Sequence, residues 1–308
     1  MKIVVMGTGG MGGYYGGLLG KGGHNVTFIA RGEHLAAIQR DGLQVKSVHG
    51  DFTISPARAS DDPAQAGAPD LILFCTKTYG TDEAVEKIKP IVGAGTAILS
   101  LQNGVEAPER IGKVVGMEHM LAGATWISSA VAAPGVIKQV SDFRRVVIGE
   151  LDGKLTSRVQ AIYDALKQTG ITAELSDNIL KVLWTKFIFI SVASSFGSLT
   201  RLPMAEYRAV PETRALIIRL LREVEALARR DGVELDPDVL EKTLVFIDNN
   251  GPKIKSSMQL DVEAGRRTEI DSILGAIGRK GRELGVETPV ADMLYAALLP
   301  VDLKARSS

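Results

Sequence analysis

Lys2-Ile3-Val4-Val5-Met6-Gly7-Thr8-Gly9-Gly10-Met11-Gly12 is an apolar run that breaks into G-x-G-x-x-G. Behind it a small-residue stretch carrying Gly13, Gly16, Gly17 and Gly20 leads to a second apolar run, Asn25 to Ala30. Strand, tight turn, helix, second strand is the setting in which this spacing has weight as a dinucleotide-binding fingerprint. Gly7 serves the turn, Gly9 lets the backbone approach a pyrophosphate, and Gly12 lets the helix pack on the strand. Thr8, Gly10 and Met11 complete the cradle at the helix N-terminus. The residue closing the second strand bears on the cofactor, because NAD sites place an acid there for the ribose 2′-hydroxyl and NADP sites place an arginine nearby for the 2′-phosphate. The chain reads Ala30-Arg31. NADPH/NADP is therefore expected, with Arg31 on the phosphate, while Glu33 could reach a ribose hydroxyl if the turn folds back.

A chain of 308 residues can bury a large core and suggests about two domains. Its 36 Lys+Arg balance 36 Asp+Glu, so no global field draws it to nucleic acid or to an anionic membrane. Cys75, the single cysteine, adjoins the apolar run Leu71-Ile72-Leu73-Phe74 and reads as a buried small hydrophobe that forms no disulfide within the chain. No histidine or cysteine pair stands at metal-ligand spacing, so no metal is expected. A strand at the N-terminus without a charged leader, and the lack of any apolar run near 18 residues, suggest a cytoplasmic protein.

Strand signals recur through the first half. Gly42 to Ser55 reads as a hairpin, Asp70 to Thr76 as a buried parallel strand ending at Lys77, and Thr96 to Leu101 as another ending in Gln102-Asn103-Gly104. In open α/β sheets ligands gather at the carboxyl ends of strands, so Gly7, Arg31, Lys77 and Asn103 should share one rim. Ala130 joins them if Met120 to Ala130 is one further parallel strand. Singly, Lys77 could be a solvated loop residue and Asn103-Gly104 a turn. Strands at Arg145 to Glu150 and Ile171 to Leu175 follow. Beyond Asp177 only helices read well: Asn178 to Ser195, Glu212 to Arg230, Asp238 to Asn249, Ser257 to Ala264, Glu269 to Leu284 and Pro289 to Leu299. The expected fold class is α/β, with a Rossmann-type dinucleotide-binding domain over 1–176 and an all-helical substrate domain over 177–308.

The helix from Asn178 to Ile190 is apolar nearly all round, with Lys186 in its middle. Such a lysine must snorkel, pair, or lower its pKa, and in the last case it is a good proton donor near neutral pH. Ile190, Ser194 and Ser198 stack beyond it on one face. Ser256 and Ser257 could simply be caps, and Thr268-Glu269-Ile270-Asp271 looks like a capping box, with Glu269 a first-turn acid. Thr288-Pro289 reads as an N-cap followed by an N1 proline.

Over essentially its full length the chain resembles the ketopantoate reductases (2-dehydropantoate 2-reductases). The resemblance rests on Gly7 to Gly12, Lys77, Leu101-Gln102-Asn103-Gly104, Trp184-x-Lys186, Ser256-Ser257-Met258 and Thr268-Glu269-Ile270-Asp271. It implies NADPH-dependent reduction of a 2-oxo acid to a 2-hydroxy acid in pantothenate synthesis. On that resemblance Lys186 would be the general acid, Asn103 would bind the nicotinamide ribose and help place substrate, and Lys77 and Gln102 would lie at the cofactor. Ser257 would bind substrate, and Glu269 would sit beside cofactor and reacting centre. The family's best-known pattern has asparagines where this chain has Ile190, Ser194 and Met204, and isoleucine cannot replace an amide's hydrogen bonds. That leaves room for a reductase of a more apolar branched 2-oxo acid, or for a non-catalytic NADP(H)-binding sensor. The expected partner is a small 2-oxo acid, and the apolar helical half would suit a homodimer.

Overall fold

The structure is a computed structural model that describes residues 1–249 and 255–307. The chain divides into two compact units, Met1–Gln102 with Ala107–Ile179, and Asn103–Glu106 with Leu180–Ser308.

In the first unit the chain runs β1 (Lys2–Met6), α1 (Gly10–Lys21), β2 (Asn25–Ile29), α2 (Gly32–Asp41), β3 (Leu43–Ser47), β4 (Phe52–Ile54), β5 (Arg58–Ser60) and β6 (Leu71–Phe74). It continues through α3 (Thr81–Ile88), β7 (Ala97–Ser100), α4 (Ala107–Val115), β8 (Met120–Trp126), β9 (Ser129–Ala133), β10 (Val136–Gln139), β11 (Arg145–Glu150), α5 (Ser157–Gln168) and β12 (Thr172–Leu175). Eight strands form one sheet in the order β12-β11-β8-β7-β6-β1-β2-β5, parallel except where β11 runs against β8. Every residue of β6 and β7 is buried, as expected of strands covered on both faces. Lys2 pairs with Asn25 and Ile3 with Leu71, so the glycine turn follows an interior strand, flanked by β6 and β2, where the parallel order reverses.

A second sheet, β4-β3-β10-β9, corrects one expectation. Met120 to Ala130 is two strands in two sheets: β8 stops at Trp126, and Ala130 lies in β9, antiparallel to β10. Ala130 is therefore not at the end of a rim strand. The hairpin of β3 and β4 forms as expected, with Leu43 opposite Ile54.

The second unit is helical: α6 (Ile179–Thr200), α7 (Met204–Tyr207), α8 (Pro211–Arg230), α9 (Val239–Asn249), α10 (Ser257–Glu263), α11 (Ile270–Leu284) and α12 (Pro289–Arg306). Its core collects Phe187, Ile188 and Val192 of α6 with Leu220 and Val224 of α8 and Leu274 of α11; each fully buried side chain of this kind contributes about 1.5–3 kcal/mol. With 22 residues, α6 is long and apolar enough to cross a membrane, against the expectation from the sequence, yet 61% of its most apolar window is buried inside the protein. It is a core helix of the second unit.

Two expected caps are overridden by acids from other helices. Thr288 precedes Pro289 but makes no cap bond; Glu223 of α8 instead accepts from Val290 N and Ala291 N at 2.9 and 3.0 Å. The capping box at Thr268 does not form either. Thr268 donates its N–H and hydroxyl to Asp302 of α12 at 2.6 and 2.7 Å, and the N-cap of α11 is Glu269, whose side chain makes no cap bond. Helix α12 also runs past Pro300 to Arg306, where the sequence suggested an end at Leu299. An interior proline costs about 3 kcal/mol, and the helix nonetheless continues through Pro300 to Asp302, which is tied to Thr268 and Arg306.

Candidate active site

The glycine turn has the geometry its sequence promised. Gly7 sits at φ +96°, and a Cβ there would meet Thr76 N at 2.8 Å. A Cβ on Gly12 would overlap Gly7 O, so α1 packs against the turn only without a side chain at that position. Gly9 differs: a Cβ would meet nothing within 4 Å, and no side chain caps α1. The first-turn amides of α1, Gly10, Met11 and Gly12, are thus left to a ligand approaching over Gly9, the cradle a pyrophosphate needs. Gly10 is closed from the other side by the backbone of Ser129 and Ala130, whose Cα would lie 2.7 Å from an added Cβ. Ala130 therefore does border the turn, though from the second sheet. The Thr8 side chain is not part of the cradle: it is buried and donates to Ile29 O at 2.9 Å, tying the end of β1 to β2. Met11 accepts from the Thr125 hydroxyl at 3.3 Å.

Arg31 follows β2 and is exposed, where its guanidinium forks onto Glu83 of α3 at 2.6 and 3.4 Å. Lys87 reaches the same carboxylate at 3.2 Å. An ion pair with both side chains more than half exposed holds weakly, so Arg31 can be re-aimed at an anion. Glu83 carried no signal in the sequence beyond its first-turn position in a charged helix. Lys77 lies two residues beyond Cys75 as the N-cap of a short turn of helix. Gln102 is buried after β7, donates to Thr76 O at 2.8 Å and to the Thr81 hydroxyl at 2.9 Å, and leaves its Oε1 as a buried acceptor without a partner among the described residues. The open Gly9, the uncapped amides and this orphaned acceptor fit a dinucleotide.

Asn103 is the next residue, and it belongs by its contacts to the second unit. Lys186 Nζ donates to Asn103 Oδ1 at 2.9 Å. Burial of the ammonium pushes the Lys186 pKa down to about 8, and the Glu269 carboxylate opposes that by favouring the charged form. Glu269 is itself buried and takes no part in capping its helix, so the simple reading of it as a first-turn acid does not hold. Lysine and amide thus meet from separate stretches of chain, and the Glu269 carboxylate favours the charged form of the lysine. Beyond Lys186 on α6, Ile190 is partly buried against the core and Ser194 and Ser198 are buried. The Ser198 hydroxyl has no partner among the described residues. Met204 packs in the core with Phe196 and Tyr207. Ser256 is the N-cap of α10, accepting from Gln259 N at 3.0 Å, whereas Ser257 is exposed at the helix start. Among the described residues no group of three or more His, Cys, Asp or Glu could hold a metal ion.

Residues 3–153 match the family model for ketopantoate reductase PanE/ApbA, and residues 178–302 match the model for its C-terminal part. The chain is 31% identical to the uncharacterized oxidoreductase YkpB of Bacillus subtilis over 97% of its own length and 98% of the relative's. It superposes on the PanE/ApbA-family ketopantoate reductase of Ralstonia eutropha with a TM-score of 0.91 at 31% identity, covering 99% and 100% of the two chains. It superposes equally, with a TM-score of 0.91 at 26% identity and 99% coverage of both, on a D-mandelate dehydrogenase solved with NADH and anilino(oxo)acetate.

Proposed function

We propose, for a chain that belongs to the ketopantoate reductase family, the NADPH-dependent reduction of ketopantoate to pantoate in the cytoplasm, with Lys186 as general acid. The coarser activity, that of an oxidoreductase acting on a CH–OH group with a nicotinamide dinucleotide, comes with the family. The observation that carries the finer reading is the part-buried ammonium of Lys186 held at 2.9 Å by Asn103 Oδ1.

The dinucleotide, when bound, supplies hydride. Gly7, Gly9 and Gly12 with the first-turn amides of α1 would take its pyrophosphate, and Arg31 its 2′-phosphate, with Lys77 and Gln102 at the ends of neighbouring strands. Lys186 holds a proton at Nζ and gives it to the carbonyl oxygen on which charge develops. Asn103 fixes the direction of that proton, Glu269 keeps the amine charged, and Ser194 and Ser257 offer hydroxyls to substrate.

A second reading, a more apolar branched or aromatic 2-oxo acid, is favoured by Ile190 beside the lysine and by the likeness to a mandelate dehydrogenase. A pocket built to pair a hydroxyl discriminates by large factors, and isoleucine offers no such pairing. Steady-state oxidation of NADPH with ketopantoate against a panel of branched and aromatic 2-oxo acids separates the two. Ketopantoate should give the highest kcat/KM. A higher value for an apolar acid selects the second reading, and tight NADPH binding without turnover of any 2-oxo acid would leave a sensor.

A further inference from the structure

We infer that Asp302, on the last helix, is a positioning residue for the Lys186–Glu269 couple, fixing the stretch of backbone from which Glu269 projects. This rests on the reading of Lys186 as general acid. Asp302 is buried to 1% exposure, and a carboxylate so enclosed is tolerated only when its oxygens are well paired. Its Oδ1 accepts both the N–H and the hydroxyl of Thr268, at 2.6 and 2.7 Å, and its Oδ2 accepts from Arg306 Nε at 2.6 Å. Thr268 immediately precedes Glu269. A threonine at a helix start ordinarily spends its hydroxyl on the local cap, yet here only a long 3.4 Å approach from Ile270 N remains. Helix α12 has taken over the corner.

The charged groups packed around that corner form one chain of bonds. Arg306 continues from Asp302 to Asp271 Oδ2 at 2.7 Å, and Tyr295 donates to Asp271 Oδ1 at 2.6 Å. Arg279 donates to Asp271 O at 2.8 Å and to Glu106 Oε2 at 2.7 Å. Glu106 lies three residues from Asn103, whose Oδ1 accepts from Lys186 Nζ. The network therefore reaches the site from both sides: through Thr268 to Glu269, and through Arg279 and Glu106 to the Asn103 segment. The tie from α12 ends on the residue before Glu269, an acid whose charge favours the protonated form of Lys186.

If Asp302 is removed, Glu269 loses its fixed approach and its influence on Lys186 falls. The lysine then loses its proton at lower pH. Asp302→Ala should lower kcat for 2-oxo acid reduction about tenfold or more, since small misplacements cost that much. The alkaline fall of its kcat profile should move to lower pH, in the direction given by Glu269→Gln, while the Kd for NADPH stays unchanged. A variant with a lowered Tm but an alkaline limb at the wild-type position would overturn the inference. Should Asp302→Ala fail to fold, Thr268→Val, which removes one of the three bonds, should shift the limb the same way by less, and no shift would overturn it equally. If Glu269→Gln leaves the limb in place, the reading of Lys186 and Glu269 is what fails; if it moves the limb and the Asp302 and Thr268 variants do not, only the role of Asp302 is lost.

Discussion

Lys186 donates to Asn103 across 83 positions of sequence, at 2.9 Å. The amide oxygen leaves the ammonium one fixed direction, and Glu269 works against the burial that pushes the lysine down to about 8. An amine so placed is charged at neutral pH but gives up its proton readily, the balance a general acid requires.

That balance has a sign in pH. Reduction needs Lys186 protonated, so kcat should be level below its pKa and fall as pH rises through about 8; the reverse reaction, which needs the free amine, should rise over the same range. Glu269→Gln removes the influence that raises the pKa and should move both curves to lower pH. Profiles of kcat for the wild type and this variant test it, and superimposable curves would refute the assignment.

Cofactor choice should turn on Arg31. Arg31→Ala is expected to weaken NADPH by about tenfold or more while changing NADH little, the loss of a charge-assisted phosphate contact. Glu83→Gln, which frees the guanidinium from its ion pair, should tighten NADPH and leave NADH as it was. Titrations by nucleotide fluorescence decide this; equal losses for both nucleotides in the arginine variant would remove the phosphate contact.

Two glycines of the turn make separable predictions. At Gly9 an added methyl meets nothing within 4 Å, so Gly9→Ala should keep Tm within about 2 °C yet weaken dinucleotide binding, because the methyl stands where the pyrophosphate would pass. At Gly12 it would overlap Gly7 O, so Gly12→Ala should cost about 1–3 kcal/mol of stability as overpacking along with binding. Thermal unfolding paired with nucleotide titration tells these apart, and a strongly destabilised Gly9 variant would contradict the open approach.

Substrate range should follow residue 190. Ile190→Asn restores a donor and acceptor one turn beyond Lys186, and kcat/KM for ketopantoate relative to an apolar branched 2-oxo acid should rise about tenfold or more. No change in that ratio would mean that Ile190 does not face the substrate.

Much of this was legible from local chemistry. The glycine turn, the buried strands β6 and β7, and the lysine inside an apolar helix are each written in a few adjacent residues. What could not be read depends on partners far apart in sequence. Nothing near Thr268 says that its hydroxyl leaves for Asp302, and nothing near Thr288 points to Glu223. Ala130 was expected at a strand end and instead reaches the turn through a second sheet, because the chain breaks at Ile127-Ser128 and starts a new ladder with β10. Pro300 hid the end of α12, and with it Asp302, although an acid flanked by Val301 and Leu303 carried the same clue as Lys186 among its apolar neighbours.

The central claim is tested most directly by Lys186→Ala, with kcat for NADPH-dependent 2-oxo acid reduction and the Kd for NADPH measured on the same preparation. A loss of about 10² or more in kcat with unchanged nucleotide affinity is the expected result for removal of a general acid. Turnover at the wild-type rate would contradict it.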